Sequence, residues 1–155
     1  MITIIWEPHP QQFASAFTSW ARSVKKFDEP FQRSVKEVMA PSLSENFKSG
    51  GRPSWAPLAA YTVDKKGGGQ ILVETGKLRD VAGSPGSWSM SNDSIELTDV
   101  PQYGRYQDTG FYNVPFDTHV PSRQWALYQP GDIDGVEDVF VEWVEQKYED
   151  SFNDV

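Results

Sequence analysis

Glu74-Thr75-Gly76-Lys77-Leu78 is the run in this chain that comes nearest to a chemical motif. A phosphate-binding loop turns backbone N–H groups onto the phosphates; it needs an earlier glycine and a Ser or Thr after its lysine. Ile71 stands where that glycine belongs and Leu78 follows the lysine, so the run does not specify nucleotide binding. His9 and His119 are the only histidines, and neither has a carboxylate or cysteine at ligand spacing. Each reads as a surface or locally bonded side chain, not as a metal ligand. Asp132-Ile133-Asp134-Gly135 opens like a calcium loop but lacks the bidentate glutamate, and helix capping accounts for it better. No serine sits in a nucleophile elbow, and the carboxylates after residue 130 belong on the outside of a helix, not to an acid/base pair. The expectation is a protein without catalysis, metal or cofactor.

The elements around these residues follow from periodicity. Phe13, Ala16, Phe17, Trp20, Ala21, Val24 and Phe27 recur at helical spacing and predict an amphipathic helix over 11–27. Asp28 is placed to cap a second helix with Pro30 in its first turn, which Pro41 should end or kink. Ser42 with Glu45 reads as a capping box for a short helix closing at Phe47 and Gly50-Gly51. Residues 51–70 combine Pro53, Pro57, Lys65-Lys66 and Gly67-Gly68-Gly69, and predict a long flexible loop. Thr75 to Val81 suits a helical turn, and Ser87 to Thr98 alternates around Asn92-Asp93 as a β-hairpin. Tyr103 to Gly110 is a short element ended by glycine, Phe111 to Pro121 reads as loop, and Trp125 to Tyr128 as a strand or tight turn. Asp134 with Glu137 caps a C-terminal helix whose apolar face is Val136, Val139, Phe140, Trp143, Val144 and Tyr148, with a frayed tail over 149–155. Trp20, Trp88, Trp125 and Trp143 fall on apolar faces and belong to the core. The fold class is α+β over a single domain, 1–155: N-terminal helices, a small antiparallel or mixed sheet with an extended loop, and a C-terminal helix packed on the sheet.

Composition narrows the partners. With 155 residues and no cysteine, one core must form without disulfides. Met1 to Trp6 is apolar but stops at Glu7-Pro8 without a basic lead, so it reads as a short strand and not a signal peptide, in a protein that is soluble and has no membrane partner. Residues 1–79 hold 11 Lys/Arg against 7 Asp/Glu, whereas residues 80–155 hold 3 against 15. An acidic half repels a phosphate backbone, which argues against ordinary nucleic-acid binding there. In an oligomer, opposite-sign surfaces could meet head to tail, or the acidic one could line a lumen that DNA passes without sticking. Glu137, Asp138, Glu142 and Glu145 are the candidates for such a channel face.

Phe47, Trp55, Pro57-Leu58, Thr62, Lys65-Lys66, Leu72 and Thr75-Gly76-Lys77-Leu78 stand in this order, followed by Tyr103-Gly-x-Tyr-Gln107-x-x-Gly110 and Pro121-x-Arg123. In order and spacing the set resembles the phage virion morphogenesis proteins, the small tail-completion and neck proteins of Mu-like and related tailed phages. The likeness covers roughly residues 30–145. Tyr106 stands before Gln107 where that family more often has histidine, and Gln124-Trp125 replaces its Pro-Phe. The resemblance implies a structural, non-enzymatic virion protein of the head-to-tail junction that completes or terminates the tail. It implies self-association into a ring, commonly of six subunits, assembled in the host cytoplasm between neck, connector and tail-tube proteins, with DNA only as passing cargo. Within the motifs, Phe47, Thr75, Gly76, Leu78, Tyr103, Gln107, Gly110 and Pro121 are structural candidates. Trp55, Pro57, Leu58, Lys65, Lys66, Tyr112 and Arg123 are candidates for the assembly interface, with Arg123 able to bridge carbonyls or grip a carboxylate. Two other classes remain open from the residues alone: an acidic DNA-mimic binding or inhibitor module, and a small phage hydrolase.

Overall fold

Pro10 opens the first helix, where its missing N–H costs nothing, and His9 caps it by accepting from the Gln11 N–H while Gln12 accepts from the His9 N–H. The computed structural model describes residues 9–91 and 93–153, so the expected strand over Met1–Trp6 and the turn residue Asn92 lie outside the described residues. Helix α1 is Pro10–Ser23, α2 is Asp28–Ser34 and α3 is Ala40–Ser49. Between α2 and α3 the helical path does not end at Pro41, one of the two expected outcomes, but distorts just before it. It runs through a widened π turn, Val35–Met39, in which the Ala40 N–H reaches back to the Val35 carbonyl. Widening the helix just before Pro41 takes up the misfit that the proline ring would otherwise force. The α3 helix closes on Gly50 in the left-handed conformation, as the sequence suggests.

Helix α7 (Pro130–Phe152) lies chiefly along α1 and α2, not on a sheet. The reason is surface. The hairpins have three-residue strands, too small to cover a 23-residue helix, whereas α1 and α2 present aromatic rings along its length. Phe27 meets Phe140 and Trp143 at ring-centroid distances of 6.0 and 5.9 Å, and Phe13 meets Phe152 at 5.5 Å. Trp143 is buried and donates to Glu29, which also binds Lys147 at 2.9 Å. The helix continues through Phe152 instead of fraying from Glu149, because Tyr148 stacks on Phe152 at 4.4 Å.

A second core forms on the other side of α3. Leu43, Phe47, Trp55, Leu78, Ala82 and Trp125 cluster there, with Trp88, Leu97 and Tyr128 packed against them. Helix α5 (Lys77–Gly83) crosses α3 and supplies Leu78 and Ala82. The expected hairpin forms as β1 (Trp88–Met90) and β2 (Ile95–Leu97), antiparallel with Trp88 opposite Leu97. Helix α6 (Gln102–Thr109) ends at Gly110 and leads into a second antiparallel hairpin, β3 (Phe111–Asn113) with β4 (Thr118–Val120), where the sequence suggests only loop. Gly110 has φ +75°, and a Cβ there would lie 2.8 Å from the Ser122 nitrogen. The class is α+β, with two separate two-stranded hairpins in place of one small sheet. The stretch 51–70 is not all loop, since it holds helix α4 (Ala60–Lys66).

Three caps differ from expectation. Asp28 begins α2 instead of capping it, and Phe27 at the cap makes no side-chain bond. Ser42 lies inside α3, buried, so no box forms with Glu45. At α7 the box is one turn earlier than expected, between Gln129 and Asp132, because Pro130 already occupies the first helical position.

Candidate functional site

The motif residues converge at the base of the 51–70 segment. Gly51 has φ +102° and a Cβ would lie 2.5 Å from the Trp55 ring, so glycine lets the chain turn tightly enough to fold the indole inward. Trp55 is 8% exposed, packs edge-on to Phe47 and donates its Nε1–H to the Gln124 carbonyl at 3.2 Å. Just beyond it, Arg123 donates from Nε to the Ala56 carbonyl at 3.0 Å and from Nη2 to the Pro57 carbonyl at 3.1 Å. Arg123 is 5% exposed, and burial lowers its pKa from the usual arginine value. Two of the assembly candidates, Trp55 and Arg123, are thus buried within their own chain and staple the segment to the core. Burial of the ring and a charged donor for two carbonyls of the segment explain why these residue types stand there.

The other motif residues frame the same cluster. Phe47 and Leu78 are buried in it, and Gly104, next to Tyr103, lets α6 approach Leu78 while its carbonyl accepts from the Trp125 Nε1–H at 2.8 Å. The Gln107 backbone carbonyl, not its side chain, accepts the Arg123 N–H at 2.8 Å. Thr75 accepts from the Lys77 N–H and Gly76, in left-handed backbone, opens α5, so the Thr-Gly-Lys-Leu run is a helix start. Pro121 is half-buried and Tyr103 exposed.

The remaining assembly candidates are at the surface. Pro57 and Lys65 are exposed and Leu58 is half-buried; Lys66 turns back to the Val73 carbonyl. Tyr112 is exposed on β3 with its hydroxyl on Asp117, beside Val114 and Phe116, which are 77% and 74% exposed. On α7, Glu137, Asp138 and Glu145 are exposed, and Glu142 pairs with Arg33 at 2.9 Å.

A polar cluster that the sequence did not reveal ties α7 to α3. Arg52 donates to Asn46, to the Ser42 hydroxyl and to the Ser42 carbonyl at 2.8, 2.6 and 2.8 Å. Ser42 donates to Asp132 at 2.5 Å, and Asn46 donates to the Trp125 and Leu127 carbonyls at 3.0 and 2.8 Å. The available signal was Ser42 and Asn46 at four-residue spacing on the face that carries Leu43 and Phe47. Tyr128 lies nearby, its phenol pKa pushed up by burial and further by the charge of Asp132.

The geometry also fixes the chemical candidates. Asp132 caps α7, His9 caps α1, and His119 is exposed on β4. Among the described residues no group of three or more His, Asp or Glu gathers as a metal site, and no helix is long and apolar enough to cross a membrane. An open groove of about 560 Å³ between α3 and α5 is lined by Ser44, Lys48, Arg79 and Asp80 but by no histidine, and Arg79 and Asp80 bind each other at 2.8 Å. No protein-family model, curated protein or solved structure matches this chain.

Proposed function

We propose that this chain is a structural virion protein of the head-to-tail junction of a tailed bacteriophage, self-associating into a ring that completes or terminates the tail and joins it to the head. The observation that supports this reading most is the convergence of the family-like motifs. Phe47, Trp55 and Leu78 meet in one core, and Arg123 holds the carbonyls of Ala56 and Pro57. A shared core is what motifs belonging to one fold would require. The exposed remainder of 51–70 and the outer side of α7 are then the surfaces left for assembly. The neighbours are connector and tail-tube proteins, the site of action is the virion neck, the role is not enzymatic, and DNA passes as cargo.

The test is location and mass together. Mass measurement of the purified chain, with imaging of particles carrying a labelled copy, should give an oligomer and density at the neck. A strict monomer absent from particles would count against the reading. In that case competition with DNA for a DNA-binding partner tests the acidic-mimic alternative.

A further inference from the structure

Helix α4 is out of keeping with the rest of the molecule. It has seven residues, none of them buried, and no side-chain cap at its N-terminus. A helix that short is marginal in water on its own propensity, and protein helices of this kind are stabilised by packing. Among the described residues nothing packs on its outer side: Tyr61 is 75% exposed and Lys65 is exposed. Tyr61 and Lys65 are four positions apart and so share a face. The base of the segment, in contrast, is fixed by Trp55 and by the Arg123 bonds.

The outer side of α7 is a second surface without cover among the described residues. Ile133 and Val141 are 56% and 55% exposed, and Val144 is also exposed. Together with Glu137 they follow at spacings of four, four and three, which makes one stripe, apolar apart from a single carboxylate in its middle. Neither Glu137 nor Lys65 belongs to an ion pair among the described residues. The stripe differs from the face carrying Val139 and Trp143, which is buried against the N-terminal helices.

We propose that α4 of one copy docks on the outer stripe of α7 in a second copy, with Tyr61 over Val141 and Val144 and Lys65 against Glu137. Four residues of helix span about 6 Å on each side, so the tyrosine-to-lysine and valine-to-glutamate separations match. The complementarity is both apolar and ionic, which selects a second copy of this chain. The contact joins unlike surfaces, so it is heterologous and propagates to a ring or filament. This inference rests on the self-association that the neck reading calls for.

Sedimentation velocity of the full chain at low salt tests it with Lys65→Glu, Glu137→Lys and the double swap. Each single variant should associate roughly tenfold more weakly, since like charges then face each other, and the double swap should recover. An equimolar mixture of the two single variants should recover association with the two alternating, because each variant's reversed or native charge then faces an opposite charge on the other, whereas neither variant alone recovers it. Tyr61→Ser should weaken association without a charge change, and circular dichroism should show all variants folded, as these positions are exposed. A monomeric wild type, or single variants that associate as the wild type does, would overturn the contact. Virion location is read on the wild type alone: an oligomer with these sensitivities but absent from particles sinks only the neck reading. Neck density with insensitive association sinks only the α4–α7 contact.

Discussion

At Gly51 and Arg123 the folding of the segment depends on single residues. Gly51→Ala would combine a left-handed φ with a Cβ 2.5 Å from the Trp55 ring. The expected loss is about 2 kcal/mol or more, read from the midpoint of urea unfolding. Arg123→Met keeps much of the apolar stem but leaves two carbonyls unbridged, and should cost about 2–4 kcal/mol. Arg123→Lys should recover only part, because an ammonium cannot reproduce the planar fork that serves Ala56 and Pro57. A loss under 0.5 kcal/mol, roughly the scatter of surface substitutions, would show the staple to be unimportant. The sequence made Arg123 legible as a bridge between carbonyls, but not which chain they belong to. A bidentate arginine looks the same in a sequence whether its partners come from its own loop or from a neighbour. Trp55 illustrates the same limit, since a tryptophan beside prolines suits both a core and an interface.

Among the elements, the long amphipathic helices and the first hairpin were legible because apolar periodicity is repeated over many residues. Val139 and Trp143 are buried on the predicted face of α7, whereas Val144 and Tyr148, expected on the same face, are exposed; Ile95 and Leu97 alternate with Glu96 as expected. What escaped was short or depended on partners. The β3–β4 hairpin has adjacent aromatics in Phe111-Tyr112 and a proline in its turn, so no alternation marks it. The capping boxes were misplaced because several Ser and Asp residues fit the pattern, and tertiary bonding chose among them. Ser42 serves Arg52 and Asp132 instead of a helix end. The α2–α7 contact offers a pH test. Hydrogen bonding to Lys147, then to Trp143, holds the Glu29 carboxyl below the usual glutamate value. A depressed carboxylate contributes stability above its unfolded pKa, about 4.3, and that share is lost as pH falls through the lower folded value. Because Glu29 is largely exposed, the share is small. Glu29→Gln should lower Tm slightly at neutral pH and make the fall of Tm below about pH 4.3 shallower. Parallel curves for the two proteins would remove Glu29 from the acid limb.

Across the whole molecule the charge division is the feature that sequence alone conveys most completely, and the fold gives it a direction. The acidic residues of α7 that do not face the N-terminal helices lie together on its outside, with Asp138 and Glu145 exposed beyond the apolar stripe. Glu137 falls within that stripe, and Glu142 is drawn back to Arg33, so the four channel candidates stand in different surroundings. If α4 covers the stripe, Asp138 and Glu145 are left at the margin of the contact, where in a ring they can face the bore. Negative charge there would keep the DNA phosphates from adhering during passage. The prediction is that Asp138→Asn with Glu145→Gln slows DNA ejection from assembled particles while the sedimentation of the purified protein stays unchanged. Both halves matter, because a change in association alone would place these carboxylates in the subunit contact. Ejection kinetics identical to wild type, measured in particles with normal neck occupancy, would remove them from the bore.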